Sequence, residues 1–214
     1  MRAAHATDEY TFLGFDCAYR TLGWCVLGYN PRGAILCPQT LAPRDVLALR
    51  AGGVEDVLGA PIENIAETER ARRLAATVAR ICAGIDIARA IVVIERQPRK
   101  CRARRGVHDT NQTIEAQLVL YFSAIAPARA VHLISGSKKN ALAQIILHEP
   151  RVATYAERKK QARRAYVHLA TLFNFDAHPE ARNYRRVRPD RADACVQIVA
   201  TIFLCARNIE YAPT

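Results

Sequence analysis

"AIVVIE", residues 90–95, is an unbroken apolar run that stops on an acid. A strand with one wet face alternates apolar and polar residues, whereas a continuous β-branched run marks a strand covered on both faces. The chain must therefore lay helices on both sides of a sheet. Upstream, a helix starts at about Asn64, with Leu74, Val78, Ile81 and Ile85 on one face. Downstream, a second helix at about 110–126 carries Ile114, Leu118, Tyr121, Phe122 and Ile125 at helical spacing. Further out, TFLGF (11–15) reads as a strand that stops at Asp16, and LGWCVLGYN (22–30) as another. The turn NPRG (30–33) leads to a third strand around AILC (34–37), and the stretch 43–62, with Gly52, Gly53, Gly59 and Pro61, reads as irregular loop. AVHLI (130–134) is a further strand, followed by SGSKKN as a turn and a short helix over 140–148. Thr154 with Glu157 forms a capping box for a helix to about Phe173, and a last helix begins at Asp190. The order is three strands, helix, strand, helix, strand and then helices. It predicts an α/β domain with a mixed five-stranded sheet flanked by helices. With no internal repeat and no dividing linker, residues 1–214 are expected to form one domain, with 1–9 as a flexible tail.

The composition narrows the function. Half of the 214 residues are apolar, enough for a full core. The apolar part of the last helix is too short to span a bilayer, and acids stand near the N-terminus where a signal peptide needs apolar residues. The seven cysteines show no CxxC pair and no zinc spacing, and are expected to be reduced and mostly buried in an intracellular protein. Lys and Arg number 31 against 20 Asp and Glu, a formal charge of +11. The excess is clustered in RQPRKCRARR (96–105), RKKQARR (158–164) and RNYRRVRPDR (182–191). Arginine's planar fork suits phosphate, so a polyanion is the natural partner, nucleic acid before others.

The acids fall in informative places. Asp16 ends the first strand and Glu95 the covered one; parallel neighbours would bring both ends to one edge of the sheet, where sites form. Asp190 and Asp193 are three apart and share a helix face near its N-terminus. Each acid alone also fits a turn or a helix start. Four carboxylates brought together would repel one another unless divalent cations sat among them. Oxygen ligands of this kind select Mg²⁺ or Mn²⁺, and a pair of such ions suits phosphodiester cleavage.

These residues carry a resemblance. FLGFDCAYRTLGWCVL (12–27) resembles the first motif of RuvC-type Holliday junction resolvases, with Asp16, Ala18, Arg20, Gly23 and Trp24 in the matching places. IVVIERQP (91–98) is similar to the second motif as poxvirus and fungal mitochondrial members carry it, with Gln97 two residues after Glu95, and PDRADA (189–194) matches the closing D-x-x-D. The longer Arg-rich loop points toward the viral branch. The resemblance implies a ribonuclease H-like fold, a homodimer, and Asp16, Glu95, Asp190 and Asp193 as ligands of two Mg²⁺ ions per site, which Mn²⁺ would replace. It also implies a catalytic lysine in SGSKKN, either Lys138 or Lys139. The implied activity is structure-selective cleavage of four-way DNA junctions by paired symmetric nicks. It would act in an infected cell's cytoplasm or another compartment of DNA replication.

Contacts with the DNA backbone are expected from Arg20, Arg96, Arg99, Lys100, Arg102, Arg104, Arg105, Lys159 and Lys160. No small-molecule cofactor and no membrane partner is expected. Rival readings are a ribonuclease H-like nuclease acting on RNA–DNA hybrid or other branched DNA, and a non-catalytic nucleic-acid-binding relative. A sugar kinase or actin-like ATPase would need two such domains and Gly-rich phosphate loops. The six histidines show no metal spacing, Tyr121 and Phe122 read as core, and Glu115 reads as part of a solvated helix face.

Overall fold

The computed structural model describes residues 10–18, 21–30, 47–57, 65–98, 105–127, 130–173 and 187–210. In chain order the elements are β1 (Tyr10–Cys17), β2 (Thr21–Tyr29), β3 (Leu47–Asp56), α1 (Glu67–Cys82), β4 (Ala90–Arg96), α2 (Arg105–Ile125), β5 (Val131–Ser135), α3 (Gly136–Leu147), α4 (Tyr155–Leu172) and α5 (Pro189–Glu210). The five strands form one mixed sheet in the order β3-β2-β1-β4-β5. β1 pairs antiparallel with β2 and parallel with β4, and β4 pairs parallel with β5.

Strand alternation sorts the side chains onto two faces. Phe12 of β1 and Val93 of β4 enter one apolar cluster with Tyr166 of α4 and Val196 of α5. Leu13, Phe15, Val92 and Ile94 enter the other, with Leu74 of α1 and Leu118 and Phe122 of α2. The covered strand therefore lies between two helix layers, as its unbroken apolar run requires. Every side chain of α5 from Arg191 to Phe203 is buried. A Cβ on Gly14 would stand 2.7 Å from the Ala194 carbonyl oxygen, and one on Gly23 would stand 2.3 Å from that of Asp190. These two glycines let the start of α5 press against β1 and β2. Among the described residues, no helix is long and apolar enough to cross a membrane.

Four local expectations are revised. Among the described residues 47–56, inside the stretch expected to be irregular, is a strand, while the strand expected at 34–37 lies outside them, as does the tail 1–9. Gly52 does not break that strand: a Cβ there would come within 2.9 Å of the Arg191 side chain, so α5 needs the space. SGSKKN is not a turn but the passage from β5 directly into α3, which starts at Gly136. Ile85 lies just beyond α1 rather than on it, and Ile125 is exposed at the end of α2. The Thr154–Glu157 capping box is present in full, with the Thr154 hydroxyl accepting from the Glu157 amide.

Candidate metal centre at the carboxyl edge of the sheet

Parallel pairing of β1 with β4 puts Phe15 opposite Ile94, so Asp16 and Glu95 stand side by side one residue further on. Alternation turns both toward the face covered by α5. The first turns of α5 bring Asp190 and Asp193 to the same point, and Thr21 of β2 donates a 2.7 Å hydrogen bond to Asp190 Oδ2. One carboxylate oxygen from each of Asp16, Asp190 and Asp193 lies within 4.8 Å of the other two. Glu95 stands at the side of this group.

Two ammonium groups sit among the acids. Lys139 Nζ lies 2.8 Å from Glu95 Oε2, 3.2 Å from Asp193 Oδ1 and 3.8 Å from Asp16 Oδ1. Lys159 Nζ lies 3.0 Å from Asp190 Oδ1 and 3.3 Å from Asp16 Oδ2, and it also pairs with Asp193 Oδ2. Lys139 is buried whereas Lys138 is exposed, so the structure separates the two candidates by position. Lys159, expected on a DNA-facing surface, is instead drawn into the acid cluster. The helical phase of α4 carries the reason: Lys159 lies on the same stripe as the buried Ala162, Tyr166 and Leu169.

The electrostatics follow from burial. Loss of water is the largest influence on Asp16 and raises its carboxyl to about 8; Lys139 pulls the other way, and the neighbouring Glu95 adds to the rise. Burial likewise pushes Asp193 above its ordinary value, against Lys139. For Glu95, burial opposes ionisation, but Lys139 and a hydrogen bond with Asp16 outweigh it and hold the group low. Burial also opposes ionisation of Asp190, which Lys159 and Thr21 nevertheless hold low. Burial disfavours the charge on both lysines, yet the surrounding carboxylates keep both protonated. Neighbouring Cys17 is an inert thiol, its ionisation suppressed by burial and then by Asp16.

The donor set fits a hard divalent cation. It offers only carboxylate oxygens, converging in a pocket that already gathers positive charge in the form of two ammonium groups. A second group of residues braces it. Glu115 of α2 is not on a solvated face: its Oε2 accepts a 2.6 Å hydrogen bond from the Gln97 backbone amide, holding the chain just past Glu95. Asn111 donates to Gln97 Oε1 at 3.5 Å. Of the residues expected to meet DNA, Arg96 and Lys160 are exposed, and Arg105 opens α2. Arg20, Arg99, Lys100, Arg102 and Arg104 lie outside the described residues. His168 is exposed and His132 half-buried, both away from the acid cluster's ligand set.

No protein-family model matches the sequence, and no curated protein matches it. The structure, by contrast, is similar to solved ones. Against T. thermophilus RuvC in complex with a Holliday junction substrate, the TM-score is 0.58 at 15% identity, covering 92% of this chain and 96% of that one. Against the Fowlpox virus resolvase in complex with substrate Holliday junction DNA, the values are 0.56, 11%, 91% and 98%. Against the yeast mitochondrial Holliday junction resolvase Ydc2, they are 0.60, 12%, 94% and 83%. The likeness runs through nearly the whole chain, and the fold is the ribonuclease H-like fold of these resolvases.

Proposed function

We propose that the chain is a metal-dependent, structure-selective DNA endonuclease that resolves four-way junctions by paired symmetric nicks. The observation that carries this reading is the meeting of four carboxylates from β1, β4 and α5 with Lys139 and Lys159, within the resolvase fold. Asp16, Asp190 and Asp193, with Glu95 beside them, would hold two Mg²⁺ ions, or Mn²⁺ in their place. Such ions supply an activated water and stabilise charge on the leaving oxygen. Asp16 would give up the proton that burial keeps on it as a cation binds. Lys139 and Lys159, freed from carboxylates that then face a cation, would turn to the scissile phosphate and offset its developing charge. Asp16, Asp193 and Lys139 are themselves buried, and the exclusion of bulk water strengthens each of these interactions.

Arg96 and Lys160, with the arginines of the 96–105 run, would hold the backbone with little base reading, because shape is the substrate. Two symmetric nicks require two sites, hence a homodimer about a twofold axis. The test is cleavage of a synthetic four-way junction, a linear duplex and an RNA–DNA hybrid, each with and without Mg²⁺. Paired nicks confined to the junction in Mg²⁺ support the proposal. Preference for the hybrid would assign a different nuclease of the same fold, and binding without cleavage in Mg²⁺ would assign a non-catalytic relative.

A further inference from the structure

The core beneath the acids contains one polar side chain that needs explaining. Gln197 of α5 is fully buried, between Val196 and Ile198 in an otherwise apolar cluster. Its Nε2 donates to the Phe15 carbonyl oxygen at 2.7 Å and to the Val93 carbonyl oxygen at 3.2 Å. Phe15 directly precedes Asp16, and Val93 lies two residues before Glu95. Gln197 is also one helical turn after Asp193, on the same face of α5. One amide group thus touches the two strands that present Asp16 and Glu95, from the helix that presents Asp193.

Stability alone does not account for this choice. A buried amide is worth burying only when its hydrogen bonds are satisfied, and Gln197 Oε1 has no partner among the described residues. An apolar side chain of similar shape would avoid the unpaired Oε1, at the loss of the donor that the Phe15 and Val93 carbonyls share. What an apolar side chain would not do is fix α5 along its axis, because apolar packing tolerates sliding and two directed hydrogen bonds do not.

We propose that Gln197 is a positioning residue of the metal centre: it locks α5 in register with the ends of β1 and β4 and thereby sets Asp193 against Asp16 and Glu95. This rests on the reading of those acids as metal ligands. The groups that orient metal ligands typically contribute one to two powers of ten in affinity, so a loss of roughly tenfold is expected when the amide is removed.

The experiment is Gln197→Met, which keeps the length and removes the donor, in the full chain. Mn²⁺ binding is measured calorimetrically without DNA, together with thermal unfolding and the Mg²⁺ concentration giving half-maximal junction cleavage. The expected result is a melting temperature close to wild type in metal-free buffer, Mn²⁺ affinity weakened about tenfold, a matching rise in the Mg²⁺ midpoint, and unchanged junction affinity. Unchanged Mn²⁺ affinity in the folded variant would overturn the proposal. Should Gln197→Met fail to fold, Gln197→Glu, which keeps the size and, protonated in this setting, one donor, is measured instead. A partial loss of Mn²⁺ affinity supports the proposal, and full affinity or failure to fold overturns it. Asp16→Asn separates the two claims: if it binds Mn²⁺ as wild type does, the ligand reading fails whatever Gln197 does.

Discussion

Two groups of opposite charges in this molecule use the same kinds of residue to different ends. On α1, Glu69 pairs with Arg72 at 2.8 Å and Arg73 at 2.7 Å, one helical turn apart and open to water. The two arginines, Arg72 first, lower the Glu69 carboxyl to about 2. At the sheet edge, Asp16, Glu95, Asp190 and Asp193 meet Lys139 and Lys159 across five elements, with Asp16 and Asp193 almost wholly shielded. Water screens the first group, so its many contacts stabilise little. The second is in a setting where each charge depends on its partners and where an added cation gains the most. The distances are alike, and burial makes the difference.

The largest expected effect is on chemistry. Asp16→Asn and Asp193→Asn should each lower junction cleavage by on the order of 10³-fold or more, while junction binding by gel shift stays intact or tightens, because a repulsive charge near phosphate is removed. Glu69→Gln should cleave like wild type. Comparable activity of the two kinds of variant would erase the contrast.

Next comes the removal of a buried counterion. Lys139→Met leaves Asp16, Glu95 and Asp193 without their shared partner, and breaking such a buried pair costs about 3 kcal/mol. Urea unfolding in metal-free buffer should show that loss, whereas Lys138→Met, on the exposed face of α3, should unfold like wild type.

The third effect is a pH dependence. Asp16 holds its proton to about 8 in the fold but to 3.8 when unfolded, so between these values the native state binds the extra proton. Stability from this group therefore falls as pH rises through that window. Asp16→Asn is neutral throughout. Its melting temperature minus that of wild type, in metal-free buffer, should grow from pH 4 to about 8 and level off above. A difference that stays flat from pH 4 to 8 would mean Asp16 is already ionised in the fold. The smallest effect is Glu69→Gln on stability, a shift in melting temperature within about 2 °C that shrinks further in high salt.

Much of the centre is legible in the chain, and the exceptions share a cause. Asp16 and Glu95 stand out because each ends an apolar run, and Asp190 and Asp193 because acids open a helix that runs on nearly all apolar to Ala206. The lysines are harder. Reading SGSKKN as a turn discards the helical phase that, with Leu142, Ala143 and Ile146 buried, turns Lys139 inward and Lys138 out. Lys159 is masked by the basic run around it, although Ala162, Tyr166 and Leu169 mark its face as the inner one. Gly52 and Gly53 conceal β3, since their reason lies in Arg191 and Trp24 of other elements. Glu115 and Gln197 are visible only as polar residues on apolar helices, and their partners are backbone groups that no side-chain pattern reveals.

The central claim is that the buried acids form a cation site and not merely a helix start beside two strand ends. Thermal unfolding of wild type and Asp193→Asn across a Mg²⁺ titration tests it most directly. The account predicts that the variant melts at or above wild type without metal, since one source of repulsion is gone. It also predicts that the stabilisation Mg²⁺ gives wild type shrinks in the variant. A variant that melts lower by an amount matching the loss of a helix cap, about 1 kcal/mol, and that keeps the wild-type response to Mg²⁺ would contradict it.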